Sequence, residues 1–456
     1  MDYDVIIIGA GLSGLAAGIR LAHYGRRVKI FERHVFPGGL NSYYRRNGGW
    51  VSVGLHALTN YVPEGERGAP LNKVLRQLRL RREALELCPQ GHSLIQFPSA
   101  TLCLNNDFAA FKRQIAERFP DDVKGFERLC ARVASVAYGA GGGRGETARS
   151  VLAEELASPL LREMLLCPVM FYGNPQIHDM DFGLFATMFQ SVLVEGFARP
   201  RHGMKTFLDT LVTKYQGEGG ELALGNGIAA VETDGAQWTA VVDDHGERHC
   251  ARQYLSCAGA PETMQLCGTS IPAEVGQVGF TEIIFTLSRR PREFGMDACV
   301  IFRSSQDSFP FRPPSQGTDE NSQLLCAPGN YVDCQDEGEA FTVRVSALTS
   351  PAWWFGLSEP AYRQAKRECL DRHRRLLDEL FPGMAAAIVG EELFTPVTVR
   401  RFTGRLNGAI YGSPQKRVNG ATPFRNVLLT GTDQGLLGIV GSMVGGVMIA
   451  NAVLND

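Results

Sequence analysis

The chain has 456 residues, of which 44% are hydrophobic and 21% are charged, a composition typical of a soluble globular protein. This length exceeds one ordinary domain and predicts two or three packed units with a large buried core. The 46 Lys and Arg residues nearly balance the 48 Asp and Glu residues, and the net charge of −2 argues against an electrostatic nucleic-acid binder. The 51 glycines suit a fold in which the backbone approaches a ligand closely.

Cysteine usage and hydropathy bear on the cellular compartment. The 11 cysteines are scattered without a Cys-x-x-Cys pair or a His cluster at zinc spacing, so we expect neither a disulfide framework nor a metal site. We expect a cytoplasmic protein, because the sequence runs from Met1 directly into a strand pattern and its apolar stretches are interrupted before the length of a membrane span. A cytoplasmic protein of this kind could also bind reversibly to the surface of a membrane.

The N-terminal segment predicts a strand, a helix and a second strand. Val5 to Ile8 is a continuous β-branched run, typical of a strand that is buried on both faces of a parallel sheet. Leu12 to Tyr24 carries apolar residues at helical spacing and ends before a glycine, and Arg27 to Phe31 predicts the next strand. The segment is therefore expected to form a βαβ unit.

The loop inside this unit matches the dinucleotide-binding pattern G-x-G-x-x-G. The first glycine permits the tight turn, the second lets a pyrophosphate reach the backbone, and the third lets the helix pack on the strand. The helix N-terminus attracts phosphate through its N–H groups and its dipole. Glu32, at the end of the second strand, is placed to accept hydrogen bonds from ribose hydroxyls. The predicted contacts of the loop are Gly9, Gly11, Leu12, Ser13 and Gly14.

The middle of the chain alternates between helical and β-rich patterns. Residues 71–138 show amphipathic helical periodicity, and the glycine run 139–145 after them predicts a mobile surface loop. Short strands separated by turns are predicted from residue 221 onward, and a charged helix is predicted over 359–380. A strand over 426–430 and a small-residue helix over 438–454 end the pattern.

The segment RHVFPGGL, residues 33–40, places a glycine pair directly after the acidic strand. In this respect the chain resembles the flavoprotein family that includes bacterial phytoene desaturases, carotenoid isomerases, retinol saturases and amine oxidases. The resemblance implies FAD as the cofactor. It also implies that the backbone of Gly38 and Gly39, flanked by Arg33 and Leu40, lies against the FAD phosphates and ribitol.

The resemblance extends over nearly the whole chain. GNGIAAVE is similar to the strand whose backbone, at Ile228, receives the adenine, and LSCAGAPET is similar to the strand and turn that place Ala258 at the nucleotide. LLTGTDQGLLGIVGSMVGGV resembles the last FAD segment, in which Asp433 is the preferred ribitol contact and Thr432 the alternative. The same segment implies contacts from Gly431, Gly438 and Ile439.

GGWVSVGLHAL, residues 48–58, resembles the second glycine segment of the family, where His56 matches a position beside the flavin ring. We take His56 and Tyr411 as the candidate proton donors or acceptors. For His56 a purely structural role stays open beside the catalytic one.

The implied fold is α/β, with a Rossmann-like FAD-binding domain of the glutathione-reductase and amine-oxidase type and an inserted α+β substrate domain. The FAD-binding domain is predicted over 1–75, 196–275 and 395–456, and the substrate domain over 76–195 and 276–394. The implied function is an FAD-dependent oxidoreductase that acts on a C–C or C=C bond of a hydrophobic polyene- or isoprenoid-like substrate by desaturation, saturation or cis–trans isomerisation. Two alternatives stay open: amine oxidation on the same fold, and a lipid-escort protein similar to the Rab GDP-dissociation inhibitors.

Overall fold

The computed structural model describes residues 2–46, 48–139, 145–334 and 338–455, so most of the predicted glycine loop lies outside the described residues. The strands are β1 (Tyr3–Ile8), β2 (Val28–Glu32), β3 (Tyr43–Arg46), β4 (Gly49–Ser52), β5 (Leu87–Pro89), β6 (Ser93–Gln96), β7 (Thr101–Leu104), β8 (Ala198–Pro200), β9 (Glu221–Leu224), β10 (Ile228–Asp234), β11 (Gln237–Asp243), β12 (Arg248–His249), β13 (Ala251–Ser256), β14 (Gly279–Leu287), β15 (Val300–Ser304), β16 (Thr318–Cys326), β17 (Thr342–Thr349), β18 (Ile388–Phe394) and β19 (Val427–Leu429). The α-helices are α1 (Leu12–His23), α2 (Pro70–Gln77), α3 (Phe108–Arg118), α4 (Val123–Ala134), α5 (Ala148–Glu155), α6 (Pro159–Gly173), α7 (Phe182–Phe189), α8 (Gly203–Gly217), α9 (Ala260–Leu266), α10 (Pro351–Gly356), α11 (Glu359–Leu380), α12 (Pro396–Thr403) and α13 (Gly438–Asn455).

The first layer is a five-stranded parallel sheet in the order β19-β13-β1-β2-β9. The central strand β1 is buried from Val5 to Ile8, because α1, α8 and α13 cover one face and the hairpin strands β10 and β11 lie against the other. This arrangement of strand, helix and strand is the Rossmann-like architecture that the apolar run and the glycine loop predicted.

Helix α13 packs along α1 in the core of this layer. A Cβ atom at Gly446 would lie 2.1 Å from the backbone oxygen of Ser13, so only glycine permits this close approach. Among the described residues, α13 is the one helix with the length and composition of a membrane span, and 56% of it is buried inside the protein. Its apolar composition is accounted for by the contact with α1.

The second layer is a seven-stranded mixed sheet in the order β18-β14-β17-β16-β15-β6-β7. Strand β17 is buried at every position, because α3 to α7 pack toward one face of the sheet while α10 and α11 cover the other. This sheet and its helices form the predicted α+β insertion, and the predicted fold class is confirmed. The exact domain boundaries stay a prediction.

One segment differs from the helical periodicity predicted over 71–138. Residues 87–104 form β5, β6 and β7 instead of helix, and the last two strands extend the mixed sheet. Burial alternates residue by residue along β6 and β7, so their apolar residues follow the period of a strand. The helical prediction is wrong here because the pairing partner of β6, strand β15, comes about 200 residues later in the chain.

Candidate active site

A cavity of about 870 Å³ extends from the glycine loop of the parallel sheet to the face of the mixed sheet. This volume lies within the range of small-molecule and cofactor sites. Its wall contains most of the residues predicted from the sequence: Gly9, Gly11, Leu12, Ser13, Glu32, Arg33, Gly38, Gly39, Leu40, His56, Ile228, Ala258, Tyr411, Gly431, Thr432, Gly438 and Ile439. Gly14 and Asp433 lie outside the wall.

The three glycines of the first loop have different surroundings. Gly9 adopts a φ of +103°, a conformation that other residues rarely reach, and a Cβ at Gly14 would lie 2.1 Å from the Gly9 oxygen. A Cβ at Gly11 would meet nothing within 4 Å, and Gly11 faces the cavity. No side chain caps the N-terminus of α1, which begins beside Gly11. The uncapped N–H groups form an anion-binding position of the kind that holds a pyrophosphate.

The Glu32 carboxylate is fixed at the cavity wall by two backbone donors. Oε2 accepts from the Ala10 N–H at 2.9 Å, and Oε1 accepts from the His34 N–H at 2.8 Å. Burial raises the pKa of Glu32, and these two hydrogen bonds oppose the rise. Each oxygen keeps an unused lone pair, so the carboxylate is oriented to accept ribose hydroxyls.

The glycine pair after β2 lies directly against the first loop. The Gly38 N–H donates to the Ala10 oxygen at 2.9 Å, and a Cβ at Gly39 would lie 3.6 Å from the Cα of Gly11. Both glycines have positive φ, +110° and +58°. Two bare backbone segments therefore form one continuous part of the wall.

Asp243 and His249 form hydrogen bonds that stabilise the turn next to Ile228. Asp243, Glu247 and His249 have ligand atoms within 4.8 Å of one another, a spacing that suits a metal ion. Both oxygens of Asp243 already accept hydrogen bonds, Oδ1 from two backbone N–H groups and Oδ2 from Asn226 at 2.9 Å and His249 at 3.0 Å. Burial tends to raise the pKa of Asp243, but these hydrogen bonds outweigh it and hold the pKa far below its usual range. The hydrogen bonds of Asp243 therefore explain the cluster of Asp243, Glu247 and His249 as a structural one that stabilises the turn.

In the C-terminal segment, Thr432 and Asp433 point in different directions. Thr432 lies at the cavity wall, whereas Asp433 is fully buried behind it. The Asp433 carboxylate accepts from the N–H groups of Ala260 at 2.6 Å and Ser413 at 2.9 Å. Asp433 thus lies behind the wall, and the residue of the two that faces the cavity is Thr432, the alternative of the two predicted contacts.

Arg405, which no motif indicated, also lines the cavity. Its guanidinium donates to the Thr432 hydroxyl and lies 3.7 Å from Glu262 and 3.6 Å from Asp433. Its Nη1 is buried and has no hydrogen-bond partner among the described residues. Nη1 is the atom that lies nearest both carboxylates, so the guanidinium charge is balanced by Glu262 and Asp433 and its other nitrogen fixes the Thr432 hydroxyl.

His56 belongs to a polar cluster at the other end of the cavity. Its Nε2 lies 3.0 Å from Glu282 Oε2 and 2.9 Å from Ser346 Oγ, and the Ser346 hydroxyl also contacts Glu282. Glu282 and Ser346 are directly opposite in the antiparallel pair β14–β17, so the sheet register brings them together. All three side chains line the cavity.

Buried charged side chains lie next to the His56 cluster, on the side away from the cavity. Arg344 is fully buried and donates to Glu282 Oε1 at 2.8 Å, to the Ser52 oxygen at 2.5 Å and to Glu339. Glu339 also accepts from Arg199, which donates to the Leu55 oxygen at 2.7 Å. Burial tends to raise the pKa of Glu282, but His56, Arg344 and Ser346 outweigh it and hold the pKa far below its usual range. Glu282 is therefore an ionised carboxylate.

The wall around the polar cluster is mainly apolar and aromatic, with contributions from Phe171, Tyr172, Phe280, Leu324, Ile410 and Leu437. The two tyrosines in this region differ. The Tyr411 hydroxyl donates to the Phe171 backbone oxygen, whereas the buried Tyr172 hydroxyl has no hydrogen-bond partner among the described residues. Tyr411 is thus committed to the protein, whereas Tyr172, which sequence reasoning missed, lines the cavity with a buried hydroxyl that is unpaired among the described residues.

Comparison with known proteins supports the class defined by this fold and cavity. Residues 7–78 match the NAD(P)-binding Rossmann-like domain. The fold is similar to that of an oxidoreductase from Methanosarcina mazei, with a TM-score of 0.67 and 15% identity over 99% of this chain and all of the other. It is also similar to that of cyclohexylamine oxidase from Brevibacterium oxydans, with a TM-score of 0.63 and 14% identity over 100% of this chain and 99% of the other. The chain therefore has the fold of these solved structures, with a Rossmann-like domain of the NAD(P)-binding type at its N-terminal end.

Proteins of similar sequence give a more specific comparison than the solved structures do. The chain is 23% identical to prolycopene isomerase 1 of an Oncidium hybrid cultivar, a match that covers 100% of this chain and 84% of the relative. It is 20% identical to all-trans-retinol 13,14-reductase of Homo sapiens, over 99% of this chain and 85% of the relative. The chain is a homologue of these carotenoid isomerases and retinol reductases, and the relationship predicted from its glycine segments is confirmed.

Proposed function

We propose that the protein is an FAD-dependent oxidoreductase that acts on a C–C or C=C bond of a hydrophobic polyene- or isoprenoid-like substrate. The observation that carries the proposal is the cavity itself, which joins a bare glycine wall at one end to an apolar, aromatic wall at the other. Relatives whose names specify a carotenoid and a retinoid as substrates support the same class.

The residues of the nucleotide end fit FAD. The uncapped start of α1 and the bare backbone of Gly11 would hold the pyrophosphate, and the anchored Glu32 carboxylate would bind the adenosine ribose. Thr432 would contact the ribitol, and the N-terminus of α13 at Gly438 would lie at the flavin ring. When bound, the flavin supplies two-electron hydride chemistry, which no side chain can supply.

The apolar end determines the substrate class. Aromatic and aliphatic side chains exclude water and favour an extended hydrocarbon. His56, Glu282 and Ser346 form a polar cluster in the wall of the same cavity, where they can contact such a substrate. A protonated amine would need an unpaired carboxylate in this wall. Glu282 already pairs with Arg344 and His56, so the charge pattern favours a neutral polyene over the amine substrate of the alternative.

We also propose that the protein is cytoplasmic and makes reversible contact with membranes, from which a lipid substrate must be collected. Helix α12 contributes to the cavity wall and exposes Phe402 beside Arg400 and Arg401. An apolar side chain flanked by cations suits an anionic lipid surface. Flotation with phosphatidylserine vesicles tests this contact, and absence of the wild-type protein from the floated fraction would contradict it.

The experiment that tests the function is an absorbance spectrum of the purified and FAD-reconstituted protein, followed by incubation with carotenoid, retinoid and amine panels. We expect flavin bands and a changed polyene, identified by chromatography and mass spectrometry. A colourless protein after reconstitution would contradict the cofactor assignment and favour a lipid-escort role. Hydrogen peroxide release with amines, without any change in a polyene, would favour the amine oxidase alternative.

A further inference from the structure

We propose that Glu282 is the positioning residue of a proton-transfer pair, in which it holds the Nε2–H of His56 and leaves His56 Nδ1 to exchange a proton with the substrate. The inference rests on the proposed function for its chemical role, but the hydrogen-bond arrangement on which it depends can be measured in the protein without turnover.

The arrangement follows from counting donors and acceptors. The ionised Glu282 carboxylate can only accept hydrogen bonds, so the hydroxyl proton of Ser346 is directed to Glu282 Oε2. Ser346 Oγ is then an acceptor toward His56 Nε2, at 2.9 Å, and Glu282 Oε2 is a second acceptor at 3.0 Å. A nitrogen that faces two acceptors carries the hydrogen. His56 therefore keeps the Nε2–H in both of its protonation states.

The other ring nitrogen is available to a ligand. His56 Nδ1 has no hydrogen-bond partner among the described residues, and the ring lines the cavity. The backbone of His56 is fixed, since its oxygen accepts from the Tyr331 hydroxyl at 3.0 Å and from the Cys326 thiol at 3.5 Å. The backbone of His56 is thus held in place, Nε2 of its ring is hydrogen-bonded to the protein, and Nδ1 can bind a ligand.

Charged residues on the neighbouring strands lie around the His56 ring. The carboxylate of Glu282 faces the imidazole from β14, and Arg344 on β17 holds the other carboxylate oxygen at 2.8 Å. Glu339 shares the Arg344 guanidinium, so Arg344 is balanced by two carboxylates. Arg199 also pairs with Glu339. Further titratable groups nearby are the hydroxyls of Tyr172 and Tyr331 and the thiol of Cys326. Burial raises the pKa of each, so they stay neutral around His56.

The proton and electron balance is complete with a bound flavin. In desaturation, His56 Nδ1 would take a proton from one carbon, and a bound flavin would supply the acceptor for the hydride that leaves the neighbouring carbon with both C–H electrons. The electron pair left by the proton would form the new C=C bond. In saturation the direction would reverse: a reduced flavin would supply the hydride, and the imidazolium would donate its Nδ1 proton to the adjacent carbon.

The first test is ¹⁵N NMR of histidine-labelled protein, with His56 assigned from the signal missing in His56→Gln. We expect Nε2 to stay protonated across the pH range in which the protein is folded, while only Nδ1 titrates. In Glu282→Gln the Nδ1 titration should move to lower pH, because the facing negative charge is gone. Glu391→Gln, on β18 and away from the cavity, is the matched control and should leave the titration unchanged. A wild-type His56 that loses its Nε2 proton first would overturn the proposal.

The second test uses turnover of whichever polyene the holoenzyme converts. We expect His56→Gln to lower kcat by about 100-fold or more, with KM little changed. Glu282→Gln should move the pH profile of kcat in the same direction as its NMR titration, and Glu282→Asp should restore part of the loss. An unchanged pH profile in Glu282→Gln would overturn the proposal while the proposed function stands. If no polyene reacts, the proposed function fails and the NMR titration alone decides the hydrogen-bond arrangement.

Discussion

The Asp433 carboxylate accepts a hydrogen bond from the backbone N–H of Ala260 at 2.6 Å and so joins the last segment of the nucleotide wall to the turn after β13. The same carboxylate binds the Ser413 N–H at 2.9 Å and lies 3.6 Å from Arg405. A residue that resembles a cofactor contact in the sequence is thus a structural anchor of the cavity wall, and Thr432 beside it faces the cavity.

Asp433→Asn is expected to destabilise the protein by about 1–3 kcal/mol, because the amide NH₂ replaces an acceptor that faces a backbone N–H. Thermal unfolding measures the loss. Asp234→Asn, at the exposed end of β10, is the matched control and should leave the melting temperature unchanged. An Asp433→Asn protein of wild-type stability that loses only its cofactor would contradict the anchoring role.

Gly11→Ala and Gly14→Ala should separate cofactor binding from stability. The added Cβ at position 11 meets no protein atom within 4 Å, so the fold should keep its stability while the methyl group occupies the cofactor side of the wall. The added Cβ at position 14 would lie 2.1 Å from the Gly9 oxygen, so the fold itself should be destabilised by about 1–3 kcal/mol. Flavin retention after gel filtration and thermal unfolding of the apoprotein measure the two effects. Equal stability loss in both variants would contradict this division.

Tyr172→Phe and Tyr411→Phe should differ in the free protein. The Tyr411 hydroxyl donates to Phe171, and its removal should cost about 1 kcal/mol. The buried Tyr172 hydroxyl has no partner, so its removal should leave stability unchanged or raise it slightly. Chemical denaturation of the two variants makes the comparison. A larger loss in Tyr172→Phe would show that its hydroxyl is already satisfied in the free protein.

Asp243 should contribute to acid sensitivity. Its pKa is lower in the folded than in the unfolded protein, so its stabilising effect is present at neutral pH and is lost as the pH falls through the folded-state value. Below about pH 5 the unfolding free energy of Asp243→Asn should therefore fall less steeply than that of the wild type, down to the folded-state pKa of Asp243. The exposed Asp297→Asn serves as control. Parallel pH profiles of wild type and Asp243→Asn would refute the assignment.

The nucleotide end was predictable because its signals are local. The turn at Gly9, the helix start at Gly11 and the acid at Glu32 lie within one βαβ unit, and their spacing fixes their relative positions. The resemblance to a known family added the expected remote contacts at Ile228 and Gly438, and both residues line the cavity. It could not decide between Thr432 and Asp433, because the direction of each side chain depends on hydrogen bonds to distant backbone groups.

The substrate end was not predictable in this way. His56, Glu282 and Ser346 come from three distant segments and meet through the register of β14 and β17. A weak signal was present, since Glu282 and Arg344 are single charges inside otherwise apolar strand patterns, and buried charges are normally paired. Their partners become identifiable only once the strand order of the mixed sheet is known.

The most direct test of the central claim is anaerobic incubation of the FAD-reconstituted protein, with its flavin chemically reduced, with one carotenoid and one retinoid, followed by mass and isomer analysis of the products. We predict a flavin-dependent change in at least one polyene, either a gain of two hydrogens or an altered double-bond geometry, and no change with Gly11→Ala. A protein that binds flavin but leaves both polyenes unaltered, in this and in the oxidised state, would contradict the proposed function.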